Sequence, residues 1–217
     1  MDNLKKEEEL ISEFADNPEY HLEKASNLIE MSLIVDFPQE LLHLIEVKTN
    51  NLKVFDYKDS FLSKATAEFG IAISLRKKEI NYHIKKAINL EKVIIAIKLL
   101  KKASIGKLEG YVLIPNVAGK EIIPNYLYDF IKHEILEEYD TAVELERSEE
   151  MKSSHIHSKI IFLSRVRDSY AAINEIERCL ELYPQTSDFH YHKAMELIKE
   201  STNELGRGAN EIYKECL

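Results

Sequence analysis

Apolar residues recur at three- and four-residue steps along most of this chain, which is the spacing of amphipathic helices. The pattern is clearest in residues 172–184, where Ala172, Ile176, Cys179 and Leu180 fall on one helical face. The same pattern returns 37 residues later as Ala209, Tyr213, Cys216 and Leu217. Each copy alternates small and large side chains on that face, so the pattern predicts a helix that another helix approaches closely.

The periodicity predicts an all-α fold. Asn17-Pro18 and Asp168-Ser169 provide helix-start signals, and Ser153-Ser154 is a candidate cap for the helix that contains Ile156 and Ile160. We expect the remaining helices from about Asp56 or Asp59 to Leu75, in two segments over 80–88 and 91–102, from Tyr126 to about Met151, and from Asp188 to Thr202. Two further helices are expected before Asn17 and between Pro38 and Asn50. Gly206 and Gly208 predict an interruption before the last helix.

Residues 106–124 break the helical rhythm. Three of the six glycines and two of the five prolines fall there, and two β-leaning runs, Gly110–Pro115 and Lys120–Pro124, flank a turn-like sequence. The segment is consistent with either a small hairpin or an irregular loop. It divides the chain into an N-terminal helical region (1–104), a linker or small hairpin (105–125) and a C-terminal helical region (126–217).

Composition and charge narrow the protein class. The scarcity of Gly and Pro favours helices, and 31% charged residues exclude a membrane-embedded chain. No membrane span and no signal peptide are predicted, so the expected location is cytoplasmic. The formal net charge is −9. Within this acidic protein a basic band covers 76–102, and it includes Arg76, Lys77, Lys78, Lys85 and Lys86.

The C-terminal helices resemble tetratricopeptide repeats, which are 34-residue pairs of antiparallel helices. A unit that starts at Ser153 places Leu163, Ala172, Ile176 and Pro184 where that family uses such residues. A second unit from Ser187 fits with Ala194 and Leu197 if three extra residues are allowed near Gly206. The resemblance is clearest over 153–217, and it implies a degenerate array of stacked helix pairs.

The resemblance also implies a function and a site. In that family the first helix of each unit lines a groove that binds a partner protein or peptide. Carried over to this chain, the groove residues are Lys159, His190 and Lys193, with Asn174 and Arg178 on the second helix. The leading hypothesis is therefore a non-enzymatic adaptor or scaffold. One alternative is a nucleic-acid-associated or regulatory protein that uses the basic band. Another is self-association through the last helix, Ala209–Leu217.

Candidate chemistry is sparse. The pairs His155/His157 and His190/His192 lie about 200° apart on a helix, so neither pair binds a single ion. His133 and Glu137 share a face but have no matching pair on a second helix. The sequence lacks a phosphate-binding loop, a nucleophile elbow and a Cys/His cluster. We therefore expect no enzyme activity, no cofactor and no metal, and we interpret both cysteines as packing residues.

Overall fold

The computed structural model describes residues 14–36, 52–54, 60–102, 107–108, 111–116 and 119–215. The chain forms two compact units, Met1–Glu146 and Arg147–Leu217. Most of the helix predicted before Asn17, the helix predicted between Pro38 and Asn50, and Cys216 lie outside the described residues.

The described residues of the first unit form four helices: α1 (Pro18–Val35), α2 (Phe61–Leu75), α3 (Ile80–Lys102) and α4 (Asn125–Leu145). The side chain of Asn17 accepts hydrogen bonds from the backbone at the start of α1, and Ser60 caps α2 in the same way. The pair α1 and α2 packs together, as does the pair α3 and α4.

Helices α1 and α2 run antiparallel, because His21 near the start of α1 contacts Glu68, whereas Asp36 at the end of α1 accepts a hydrogen bond from the backbone of Leu62. Helices α1 and α3 run in the same direction. Tyr82 of α3 donates a hydrogen bond to Glu19 of α1. About two turns further along both helices, Asn89 of α3 contacts Ser26 of α1. The first unit is therefore built from helix pairs whose first members lie side by side.

A small sheet accompanies these helices. Strands β3 (Tyr111–Asn116) and β4 (Gly119–Pro124) form an antiparallel hairpin, which resolves the choice that the sequence left open for 106–124. Strand β2 (Lys107–Leu108) pairs with β3, and β1 (Leu52–Val54) pairs with β4 in parallel. The sequence did not predict β1, because three residues are too few to show an alternating pattern.

The second unit contains α5 (Glu149–Arg165), α6 (Ser169–Leu182) and α7 (Ser187–Glu215). Asp168 caps α6 as predicted. Helix α5 is capped by Ser148 and not by Ser153-Ser154, so it starts one turn earlier than expected. Helices α5 and α6 run antiparallel, since Glu149 contacts Tyr183 and Lys159 contacts Glu175.

The all-α prediction of packed helix pairs is confirmed, with differences at three places. Residues 80–102 form one helix and not two segments. The division between the units follows Glu146, not 105–125, because α4 packs against α3. Helix α7 continues through Gly206 and Gly208 to Glu215, so the predicted interruption is wrong. Each glycine weakens a helix by only about 1 kcal/mol, and no proline stops this one.

Candidate functional site

The first helices of the pairs share a sequence that the apolar pattern alone did not reveal. It consists of an aromatic residue, a histidine, two variable residues, a lysine and an alanine. The three copies are Tyr20-His21/Lys24-Ala25, Tyr82-His83/Lys86-Ala87 and Phe189-His190/Lys193-Ala194. They begin α1, α3 and α7. The three copies become visible when the first helices of the pairs are aligned with one another, and not with the helix next to each of them.

The second helices share a complementary pattern centred on a buried or half-buried glutamate. A small or branched apolar residue stands three positions before the glutamate, a large one follows it, and Ala or Cys stands four positions after it. The copies are Ala65/Glu68-Phe69/Ala72 in α2, Ile135/Glu138-Tyr139/Ala142 in α4 and Ala172/Glu175-Ile176/Cys179 in α6. The apolar positions of the third copy were recognised from their spacing in the sequence, but its glutamate was not.

The two patterns meet in α1 and α2. His21 Nδ1 lies 2.6 Å from Glu68 Oε2, and Lys24 Nζ lies 2.6 Å from Glu68 Oε1. The other ring nitrogen of His21 lies 3.0 Å from the carbonyl oxygen of Ala15, six residues earlier. Hydrogen bonds from His21 and Lys24 outweigh the effect of burial and lower the pKa of Glu68. One carboxylate thus connects two side chains of the preceding helix.

Helices α3 and α4 repeat this arrangement in a more buried setting. His83 Nδ1 lies 2.6 Å from Glu138 Oε2, and Nε2 faces the carbonyl oxygen of Lys77 at 3.3 Å. Lys86 Nζ donates to Glu138 at 2.6 Å and to Glu134 at 2.8 Å. Both ring nitrogens of His83 face acceptors, so both contacts are complete only when the ring carries two protons.

The pKa values of this cluster shift in a consistent direction. The hydrogen bond to Glu138 raises the pKa of His83 against the opposing effect of burial. Burial disfavours the charged forms of Lys86 and Glu138. Hydrogen bonds to Glu134 and Glu138 outweigh burial and raise the pKa of Lys86, and hydrogen bonds from His83 and Lys86 lower the pKa of Glu138 in the same way. The charged forms of all three side chains are therefore favoured relative to their ordinary pKa values, and the cluster ties α3 to α4.

The third pair keeps the lysine and glutamate but lacks the histidine, since Ile156 occupies that position. Lys159 Nζ lies 3.1 Å from Glu175 Oε2, and Arg178 donates to Glu175 Oε1 at 2.6 Å. Burial raises the pKa of the Cys179 thiol to about 11, so this residue stays protonated and serves as a packing residue.

Helix α7 has the first-helix sequence, but its face is open. Leu22, Ala25 and Ile29 of α1 are at most 1% exposed, whereas their counterparts Tyr191 and Ile198 in α7 are 63% and 59% exposed. Ala194 is exposed as well. The open face of α7 consists of Tyr191, Ala194, Leu197, Ile198 and Ser201. In the part of the chain that the structure describes, no helix follows α7 to cover this face.

The motif side chains of α7 accordingly have different partners. His190 Nε2 lies 2.9 Å from the carbonyl oxygen of Pro184, the same contact six residues back that His21 and His83 make. Lys193 turns to Glu177 of the preceding helix at 2.7 Å. No glutamate from a following second helix reaches either side chain among the described residues.

A histidine pair connects α5 and α7. His157 Nε2 and His192 Nε2 are 2.8 Å apart, so the N–H of one ring donates a hydrogen bond to the ring nitrogen of the other. Burial and the neighbouring His157 lower the pKa of His192. Further along both helices, Ser164 of α5 donates a hydrogen bond to Glu196 of α7, so the two helices run in the same direction. Among the residues that the structure describes, no group of three or more metal-binding side chains occurs.

The predicted site residues are placed as follows. Lys159 is buried in the ion pair with Glu175, which removes it from the expected groove surface. Asn174 and Arg178 are exposed on α6, and His190 and Lys193 lie at the start of α7. In the basic band Arg76, Lys77, Lys78 and Lys85 are exposed, whereas Lys86 is buried in the cluster with Glu138.

No family model, curated protein or solved structure matches the chain in the three comparisons made. None of the helices in the described ranges combines the length and the apolar character that crossing a bilayer requires.

The raised pKa of His83 predicts a pH dependence of stability. Because the pKa is higher in the folded than in the unfolded state, the contribution of His83 is complete below its unfolded pKa of about 6.5 and is lost as pH rises through the folded value. We expect His83→Gln to destabilise the protein most near pH 5.5 and least near pH 9. Urea denaturation followed by circular dichroism measures the difference.

The matched control for this prediction is His133→Gln. His133 is exposed and lies 3.1 Å from the exposed Glu137 one turn along α4, so its replacement should leave the stability profile of the wild type nearly unchanged. A difference between wild type and His83→Gln that stays constant from pH 5.5 to 9 would contradict the assignment.

Proposed function

We propose that the protein is a non-enzymatic adaptor of the tetratricopeptide-repeat type, which binds a helical segment of a partner protein through the open face of α7. The observation that supports this most is the exposure of Tyr191, Ala194 and Ile198 at positions whose counterparts in α1 are buried against a second helix. Among the described residues, no second helix packs against this face of α7.

Two further features support a binding role over a structural one. Leu197, 48% exposed, extends the open face, and neighbouring apolar side chains of this kind mark interaction surfaces. His190 and Lys193 border the same face, and in α1 and α3 the equivalent side chains bind a glutamate. A helix with a glutamate between apolar residues therefore has the chemistry that the face recognises.

The basic band gives the nucleic-acid alternative less support than the open face of α7 gives the adaptor. Burial of Lys86 against Glu134 and Glu138 removes a central cation from the basic band. Of the other named cations, Arg76, Lys77 and Lys78 are exposed at the turn between α2 and α3, and Lys85 is exposed on α3. We therefore prefer the adaptor. A cytoplasmic location stays a prediction from the sequence.

A peptide that imitates a second helix tests the proposal. The probe is a fluorescein-labelled peptide of residues 168–183 with Cys179 replaced by alanine, and fluorescence anisotropy follows its binding to the full chain. We expect a dissociation constant in the micromolar range. Ala194→Arg should weaken binding at least tenfold, about 1.4 kcal/mol, because a long charged side chain then occupies the position of closest approach.

The control variant is Ile34→Arg, which changes an aliphatic residue of α1 that is 66% exposed. It should bind the peptide as the wild type does. Equal binding by the wild type and Ala194→Arg would show that the open face of α7 is not the binding surface.

A further inference from the structure

A pocket of about 410 Å³ lies in the second unit, where the end of α5, the turn after it and the start of α6 meet the middle of α7. Small-molecule sites have volumes of about 300–1,000 Å³, so the pocket is large enough for a ligand. Its described lining contains no acidic side chain. The polar lining residues are three basic and three hydroxyl residues: Arg165, Arg167, Lys199, Ser164, Ser169 and Thr202. In a chain with a net charge of −9, this concentration of cations and donors indicates a site for an anion.

Arg167 lies in the turn in a backbone conformation that arginine rarely adopts. Its φ is 60°, and no other non-glycine residue in the described ranges has a positive φ. The turn ends α5 as a Schellman motif, because the N–H of Arg167 donates to Ser164 at 3.1 Å and the N–H of Asp168 donates to Leu163 at 3.0 Å. Glycine is the usual residue at such a position. An arginine at this place is therefore maintained at a conformational cost, and such cost is often associated with function.

Lys199 presents its ammonium group to the same pocket. Its Nζ donates to Glu196 Oε1 at 2.5 Å and to Ser164 Oγ at 2.6 Å. An ammonium group has three N–H donors, so the third remains for a ligand. The two contacts hold the flexible lysine side chain at the pocket wall, so less rotamer freedom is lost when a ligand binds.

Two acids lie close to the pocket, and each has a partner of its own. Glu196 is 1% exposed, and hydrogen bonds from Lys199 and Ser164 lower its pKa against the opposing effect of burial. Asp168 accepts a hydrogen bond from the N–H of Ala171 as the cap of α6. Arg167 is exposed and forms no ion pair with any described residue. Its positive charge is therefore not offset by either acid.

A phosphate monoester fits this set of donors better than a carboxylate does. Phosphate offers three acceptor oxygens, and a guanidinium group binds it with two parallel N–H donors. The hydroxyl residues add further donors of the neutral kind. Ser169 is the first residue of α6, a helix of 14 residues whose N-terminal end carries partial positive charge. A carboxylate has only two oxygens, and a cationic ligand would meet three basic side chains.

We infer that this pocket binds a phosphate monoester, with Arg167 and Lys199 as its charged donors. A free phosphorylated metabolite and a phosphorylated side chain of a partner carry this same group, and their relative affinities separate them. The inference goes beyond the proposed function, because a phosphate group can bind here whether or not a helix binds the open face of α7.

Titration of the ¹⁵N-labelled full chain with sodium phosphate, followed by nuclear magnetic resonance, tests the site. Sodium chloride keeps the ionic strength constant and serves as the reference anion. We expect the amide signals of residues 163–169 and 198–202 to shift and to saturate with a dissociation constant in the low millimolar range. Signals of the first unit should stay in place. Absence of saturation, or equal shifts in both units, overturns the inference.

Arg167→Gly separates ligand binding from the stability of the turn. Loss of the guanidinium should weaken phosphate binding at least tenfold. Glycine suits a φ of 60°, so the urea midpoint should be equal to or higher than that of the wild type. Arg76→Gly makes the same substitution in the exposed turn between α2 and α3 and should keep the affinity of the wild type. Unchanged phosphate affinity in Arg167→Gly would contradict the assignment.

Thr202→Glu tests the pocket without altering the turn. Thr202 is exposed and lines the pocket, so a carboxylate there should abolish phosphate binding by repulsion. Ser201→Glu adds the same charge at the neighbouring exposed position, which points about 100° away around α7 and does not line the pocket. It should retain phosphate affinity within about twofold. Equal losses in the two variants would show that phosphate binds elsewhere.

The source of the phosphate group follows from two further titrations. Free O-phosphoserine is compared with a pentapeptide of alanine that has phosphoserine at its centre. At least tenfold tighter binding of the peptide identifies a phosphorylated side chain of a partner, and equal affinities identify a free phosphate ester. If the 168–183 peptide binds but inorganic phosphate does not, the phosphate site is wrong and the adaptor stands. If phosphate binds but the 168–183 peptide does not, the reverse holds.

Discussion

Replacement of Glu138 by alanine is expected to lower the free energy of unfolding by about 3 kcal/mol. Glu138 is 9% exposed and accepts hydrogen bonds from His83 and Lys86. Removing it leaves two buried cationic groups without their common partner, and uncompensated buried charge is costly. The effect should fall at the lower end of the usual range because Lys86 keeps Glu134.

The adjacent residue is the control. Glu137 is exposed and contacts the exposed His133, so Glu137→Ala should change stability by less than about 0.5 kcal/mol. Both variants are compared with the wild type by urea denaturation at pH 7. Adding Lys86→Met to Glu138→Ala should restore part of the lost free energy of unfolding, because the buried charge of Lys86 is then removed as well. Similar effects of Glu137→Ala and Glu138→Ala would contradict the ion cluster as a stabilising contact.

Truncation of Ile176 to alanine should cost a similar amount in the second unit. Ile176 is fully buried in α6 beside Glu175, and removal of a buried isoleucine side chain leaves a cavity that costs about 2–5 kcal/mol. A helical unit of three helices has few other contacts to offset this loss. We therefore expect the amide protons of α5 and α6 to lose most of their protection against hydrogen exchange.

Leu182→Ala provides the comparison on the same helix. Leu182 is 66% exposed, so its truncation should alter stability by less than about 0.5 kcal/mol and leave hydrogen exchange nearly as in the wild type. If the two aliphatic truncations gave equal protection factors, Ile176 would not be a core residue of this unit.

Local signals in the sequence predicted much of the fold. Asn17 and Asp168 each cap a helix, and the three- and four-residue spacing of the apolar residues that follow each cap predicts the helix from neighbouring residues alone. The two helices, α1 and α6, lie where expected. The predictions failed where two local signals competed. Ser148 and Ser153 are both suitable caps, and only the packing of the helix decides between them. Gly206 and Gly208 suggest a break, yet a long helix tolerates both.

The candidate site was harder to predict because it depends on pairs of residues far apart in sequence. In the sequence, Glu68, Glu138 and Glu175 look like ordinary surface acids, because the helices that contain them carry other charged residues as well. Only their contacts with His21, Lys86 and Lys159 show that they belong to the interior. Lys159 was predicted to be a groove residue from its position in the tetratricopeptide-repeat resemblance, and only its contact with Glu175 shows that it is buried.

The contacts to these glutamates close loops of different lengths, which bears on the order in which the helix pairs form. Lys159 and Glu175 are 16 residues apart, whereas His21 and Glu68 are separated by 47 residues and Lys86 and Glu138 by 52. Closing the longer loops costs about 1 kcal/mol more chain entropy. Short-range contacts form faster, so α5 and α6 should associate before either pair of the first unit, although the ribosome synthesises them after both of those pairs.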